Sequence, residues 1–261
     1  DSDWRDVGDE PSLLKSLHPC NSVAVCEDRI LGIARIAKEK PEVKVVVLDD
    51  GLQHRALKPD LSVLLIDSER PLNMSSLLPG GDLRDLKSRA SKFDVWVYTR
   101  CHSEDLIPKL SKNSSSQLLF STHMSSASKA LSTVKKASFK SDKPRVLAVS
   151  GIASPERFID GLLDSWTVVR RQSYPDHYQF KSKDVSDWVT CIRSEKLDAI
   201  VTTAKDAERI KPYTTALKGI PLIIIPIVVK WHQKEALEKC VDEWLQSTIF
   251  AKDISKRKGL A

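Results

Sequence analysis

The sequence predicts an α/β protein built from two α/β/α sandwich domains with mainly parallel sheets. Short apolar segments alternate with segments of helical period along most of the chain, and a polar stretch rich in Ser and Lys, from Thr122 to Lys143, interrupts that alternation once. In the first half Ser22 to Val25, Val43 to Leu48, Ser62 to Ile66, Val95 to Tyr98 and Leu118 to Ser121 read as strands. Pro11 to Leu17, Arg29 to Glu39 and Ser103 to Leu110 read as helices between them. Beyond the polar stretch, strands are expected at Val146 to Val149, Thr167 to Arg171, Ala199 to Val201 and Leu222 to Ile227. Helices are expected at Pro155 to Leu163, Lys183 to Ser194, Ala204 to Ile210 and Lys234 to Gln246. Strands separated by helix-length connections pair in parallel, because the helix carries the chain back across the sheet. The expected division is a first domain over 1–121, a linker over 122–143 and a second domain over 144–261.

Composition narrows the function classes. With 261 residues, 41% hydrophobic and 29% charged, the chain can bury a sizeable core and is not a disordered polymer. The run Ile220 to Val229 is far shorter than the roughly 20 apolar residues that span a bilayer. Five cysteines without a C-x-x-C spacing indicate neither a zinc site nor a disulfide framework, and a reducing compartment fits them best. The net charge of +6 and pI near 9.0 suit an anionic partner. Nucleic acid is disfavoured, since the basic residues are interspersed with acids and no aromatic stacking platform accompanies them. Nothing in the first thirty residues looks like a targeting segment.

The stretch VVVLDDGLQH, Val45 to His54, is the first candidate site. Ligands of open α/β sheets gather beyond the carboxyl ends of the strands, and Asp49 and Asp50 stand where the expected strand Val43 to Leu48 ends. An acid there can hold Mg²⁺ on nucleotide phosphates, and a second can act on the nucleophile as a base. A plainer reading makes one Asp the cap of the next turn, with Gly51 at positive φ. Asp67, ending the neighbouring strand, adds negative charge to the same rim.

These residues, DDGLQH followed by RALKPDLSVLLID, resemble the tetraacyldisaccharide 4'-kinases of lipid A biosynthesis. VGDEP (Val7 to Pro11), Arg29, LLPGGDLRD (Leu77 to Asp85), SGIASPERF (Ser150 to Phe158), YPDHYQF (Tyr174 to Phe180) and TTAKDAERI (Thr202 to Ile210) match in the same order. The resemblance implies a P-loop kinase-like first domain, a second α/β/α domain and an active site in a cleft between them. It also implies transfer of the γ-phosphate of ATP, with Mg²⁺, to the 4'-hydroxyl of a tetraacylated glucosamine disaccharide 1-phosphate. By that resemblance Asp49 is the base, paired with His177, and Asp50 meets Mg²⁺ and nucleotide. Thr203, Lys205 and Asp206 join Asp50 as candidates for nucleotide contact, and Gln53, His54, Arg84 and Asp85 as candidates for substrate contact. Where the family more often reads G-P-L-R-E, this chain has Asp82 in the proline's place. The implied location is a membrane surface, approached peripherally: the cytoplasmic face of the inner membrane for a bacterial protein, a mitochondrion for a plant one.

Several matched residues also have purely local roles. Thr203 with Asp206 three residues on is a capping box opening the helix at Ala204, and Ser154 before Pro155 and Glu156 is a helix start with an acid at its positive end. One family feature is missing from the sequence: no Gly is followed by Lys, so there is no Walker A loop to cradle phosphates. VGDEP normally follows that loop, which leads to the expectation of a fragment or truncated isoform that turns over little by itself. The alternative expectation is a non-catalytic lipid- or nucleotide-binding relative.

Overall fold

The computed structural model describes residues 4–70, 72, 76–81, 83, 85–101, 118–126, 131–132, 139 and 141–258. Arg84 and the expected helix Ser103 to Leu110 lie outside them. In chain order the elements are α1 (Trp4–Val7), α2 (Asp9–Leu17), α3 (Arg29–Glu39), β1 (Val63–Asp67), β2 (Val95–Thr99), β3 (Leu118–Ser126), β4 (Leu131–Ser132) and β5 (Arg145–Ser150). There follow α4 (Pro155–Asp160), β6 (Thr167–Ser173), α5 (Ser182–Glu195), β7 (Ala199–Thr203), α6 (Ala204–Ile210), β8 (Leu222–Ile225), β9 (Ile227–Trp231) and α7 (Lys234–Lys258).

The chain forms two compact units, each assembled from two stretches: Asp1–Val25 with Ser125–Val228, and Cys26–Met124 with Val229–Ala261. Side-chain contacts hold the separated stretches of each unit together. The hydroxyls of Ser12 and Ser16, one turn apart on α2, donate to the two carboxylate oxygens of Glu208 on α6 at 3.2 and 2.8 Å. In the other unit Leu237 and Cys240 of α7 pack against Val95 and Val97 of β2, and the Trp244 indole N–H donates to the Asp60 carbonyl at 3.2 Å. The polar stretch between the expected domains holds β4 and the end of β3.

In the first unit the strand order is β4-β8-β7-β5-β6. β5 pairs in parallel with β6 and β7, and β7 with β8, while the two-residue β4 runs antiparallel at the edge. Alternate residues of the central strands serve opposite faces. Leu147, Val149 and Ile200 pack with Val185, Trp188 and Ile192 of α5 and with Phe180; Val146, Ala148, Ala199 and Val201 pack with Ile159 of α4 and with Leu162. Both faces are covered, so these strands read as unbroken apolar runs.

The second unit carries the order β1-β2-β3-β9, with β1, β2 and β3 parallel. Two expectations fail here. Neither Ser22 to Val25 nor Val43 to Leu48 joins a ladder, and Val47 is 87% exposed. An apolar run becomes a strand only where a neighbouring strand takes up its N–H and C=O groups, and among the described residues neither run pairs with one. The apolar run from Ile220 to Val229 also divides: Pro226 has no N–H to offer a ladder, and β8 and β9 fall on either side of it in different sheets.

Candidate active site

His177 sits in a tight turn in which the Tyr178 N–H donates to the Pro175 carbonyl at 3.2 Å and the His177 N–H donates to Asp176 Oδ1 at 3.0 Å. Its φ is +57°, a left-handed conformation that non-glycine residues hold mainly where the surroundings over-determine it. The surroundings here are aromatic. The Tyr174 and Tyr178 rings flank the turn with centroids 4.5 Å apart, both lie against Phe180, and the Trp188 indole N–H donates to the Tyr174 hydroxyl at 3.0 Å. The turn therefore hangs on the buried face of α5.

Within this unit the carboxylate nearest His177 Nδ1 is that of Asp9. Asp9 opens α2, is 7% exposed, and places Oδ2 3.2 Å from His177 Nδ1. Its Oδ1 accepts the Glu10 backbone N–H at 3.0 Å. Lys205 Nζ lies 3.3 Å from His177 Nε2, 3.0 Å from Glu10 Oε1 and 3.9 Å from Asp9 Oδ2. The two ring nitrogens of His177 thus face different groups, Nδ1 the Asp9 carboxylate and Nε2 the Lys205 side chain.

Both Lys205 and, one turn later, Arg209 project from α6. Thr203 caps that helix as expected, its hydroxyl accepting the Asp206 N–H at 3.0 Å. The Asp206 side chain does not complete a capping box. It turns to the Gly151 N–H at 3.1 Å, the Thr203 hydroxyl at 2.7 Å and Arg209 at 2.5 Å. A Cβ on residue 151 would meet Asp206 Oδ1 at 3.2 Å and the Pro175 carbonyl at 3.3 Å, which is why glycine stands there. Burial pushes the Asp206 carboxyl up, and Thr203, Arg209, the Gly151 N–H and Lys205 pull it back. Ser154 precedes α4 with Pro155 in its first turn, but its side chain makes no capping hydrogen bond.

In the second unit Asp49 and Asp50 form an exposed turn after Leu48. The left-handed residue is Asp50, at φ +47°, and its side chain does not cap the short helical turn Gly51–Gln53 that follows. The plainer reading had assigned positive φ to Gly51. Gly51 is there for closeness instead, since a Cβ would stand 2.9 Å from Leu48 Cβ. Asp50, Gln53 and Asp85 line one cavity of about 590 Å³, with Arg55, Arg89 and a wall of leucines and Phe93. The Leu86 N–H, at 2.8 Å, together with Arg89 and Arg55, holds the Asp85 carboxyl below its usual range. His54 closes the turn, its N–H donating to the Gly51 carbonyl at 3.1 Å. Asp67 pairs with Arg100 and accepts the Glu69 N–H, so its charge is answered locally.

A family model described as tetraacyldisaccharide-1-P 4'-kinase matches residues 1–246. This chain belongs to that family. The kinase relative from Porphyromonas gingivalis is 32% identical over 78% of this chain and 61% of its own length. The tetraacyldisaccharide 4'-kinase of Bacteroides thetaiotaomicron is 32% identical over 98% of this chain and 73% of its own. The chain thus spans about three fifths to three quarters of these relatives, both of them bacterial. Among solved structures, LpxK from Aquifex aeolicus, an "apo" form in complex with ATP, superposes with a TM-score of 0.68 at 25% identity, over 94% of this chain and 71% of that one. The α/β, P-loop kinase-like fold expected of a 4'-kinase family member is the fold observed. Among the described residues, no helix is long and apolar enough to cross a membrane.

For this tetraacyldisaccharide 4'-kinase family member, sequence reasoning picked out His177 and Lys205 and quoted Asp9 only inside VGDEP. An acid in the first turn of a helix reads as a dipole partner, so its contact with His177 went unread. Arg209 was equally hidden, because a lone Arg late in a short helix reads as a solvated residue, whereas it is 1% exposed.

Proposed function

We propose that this chain carries the hydroxyl-activating part of a lipid kinase that moves the γ-phosphoryl group of ATP onto the 4'-hydroxyl of a tetraacylated glucosamine disaccharide 1-phosphate. The observation that carries the reading is Asp9 Oδ2, buried and 3.2 Å from Nδ1 of an imidazole that is itself exposed. A sugar hydroxyl is a poor nucleophile at neutral pH, and phosphoryl transfer gains mainly from positioning and from neutralising charge. The 4'-oxygen bonds to the γ-phosphorus as the bond from phosphorus to the bridging oxygen breaks. The hydroxyl proton passes to the Asp9–His177 pair, and ADP departs. Lys205, with Nζ 3.3 Å from His177 Nε2, would bring a side-chain cation to the transferring phosphate.

Among the described residues no three His, Cys, Asp or Glu side chains form a metal cage. That donor set still fits Mg²⁺, which takes one or two carboxylates and completes its shell with phosphate and water. Asp50, with Asp49 beside it, would hold the ion, which supplies neutralisation of the phosphate charge. Gln53 and Asp85 line the adjoining cavity and, with His54 and Arg84, are proposed to meet the lipid's sugar head. Such a lipid places the work at a membrane surface, with the protein bound peripherally, in a bacterium or in a plant mitochondrion.

The test is phosphorylation of the lipid A disaccharide precursor by the native protein, followed with labelled ATP. Asp9→Asn and His177→Ala are each expected to lower kcat by about 10²- to 10⁴-fold, the usual share of a general base. Unchanged turnover in Asp9→Asn would remove the pair from the mechanism.

A further inference from the structure

We propose that Arg209 is the positioning residue of the Asp9–His177 pair, holding both members in register through one guanidinium. The proposal rests on the reading of that pair as the proton acceptor. Arg209 is 1% exposed, and each edge of its fork is committed to a different part of the site. One terminal nitrogen donates to the Gly151 carbonyl at 2.9 Å and to Asp206 Oδ1 at 2.5 Å, which ties it to the end of β5 and to its own helix. The other donates to the carbonyl of Tyr178, the residue after His177, at 3.2 Å. Nε points at Asp9, 3.6 Å from Oδ2. The Phe180 ring lies 5.8 Å from the guanidinium carbon and closes the remaining face.

The spacing at Asp9 sets this apart from an ordinary buried ion pair. Neither Arg209 Nε nor Asp9 Oδ2 completes a hydrogen bond, although both are buried. An arginine serving stability alone is expected to satisfy its last N–H, because a buried orphan donor and acceptor are costly. Here the two face each other at a distance that leaves an Oδ2 lone pair uncommitted while its charge is answered. The same guanidinium grips the backbone beside His177, so a shift of either member is felt at the other. Lysine could supply the charge but not the planar fork that reaches three elements at once.

Three readouts test this: thermal melting, steady-state kinetics of the native protein, and the ring ¹⁵N signals of His177 in the ligand-free protein. Asp9→Asn calibrates the last by showing how His177 responds to its partner. Arg209→Met is expected to fold, to lower kcat by about 10- to 100-fold, as small displacements at a reacting centre do, and to leave both KM values within about twofold. It is also expected to move the His177 signals in the direction of Asp9→Asn, with Arg209→Lys restoring neither readout fully. Folded Arg209→Met with His177 signals unmoved would overturn the proposal, whatever the rate. If Arg209→Met does not fold, Gly151→Ala decides: its Cβ presses on Asp206 from the other end of the network, and His177 signals that stay fixed there overturn the proposal equally. The spectra do not need turnover, so a protein that proves inactive on the lipid would defeat the kinase reading and leave the spectral test of Arg209 standing.

Discussion

Two apolar runs of the same chain have opposite fates. Val146 to Val149 in β5 is buried to within 1% of completely, flanked by β6 and β7 and covered on both faces by α4 and α5. Val45, Val46 and Val47 are 44, 39 and 87% exposed and pair with no strand among the described residues. Their side chains are nearly the same. What differs is whether neighbours supply a ladder and a cover, so hydrophobicity by itself does not make a core strand.

The largest expected effect lies in the covered sheet. Trp188→Ala should cost about 3–5 kcal/mol in urea or thermal unfolding, the range for removing a buried large aromatic. It should also loosen the His177 turn, since Trp188 holds Tyr174. A matched pair sharpens the contrast. Val149→Ala should cost about 2 kcal/mol, roughly two buried methylene equivalents plus a small cavity. Val47→Ala should stay below about 0.5 kcal/mol, as exposed substitutions do. Equal costs at the two positions would show that Val47 is covered in solution.

The smallest effect is electrostatic. The Asp85 carboxyl is held below its ordinary range, so its ionised form is favoured more strongly in the folded protein than in the unfolded chain. That stabilisation is complete above the ordinary carboxylate range and is lost as pH falls through the lowered value. Melting temperature recorded between neutral and acid pH should show a shallower acid limb in Asp85→Asn than in the wild type; identical limbs would mean that solvent screens the pair of arginines at this exposed site.

Much of the site was legible from residue order. The helix Ala204–Ile210 and its Thr203 cap follow from local chemistry, and both bounds of that helix agree with the sequence reading. The turn carrying His177 follows from Pro175 and Asp176. Asp9 as the partner of His177 was not legible, because 168 positions of chain separate the two residues and the contact is made only when α2 docks on α6. Nor does a sequence show that Arg209 is buried, since an isolated helix of seven residues exposes every side chain.

What the amino-acid order determined by itself was local. The alternation of strand and helix, the parallel pairing that helical crossovers impose, and the caps and turns all depend on neighbours a few residues apart. Only tertiary structure decided which apolar runs became strands, which distant stretches shared a compact unit, and which carboxylate met the imidazole. These depend on burial and on contacts between separated segments, whose free energy appears only once the chain has folded them together.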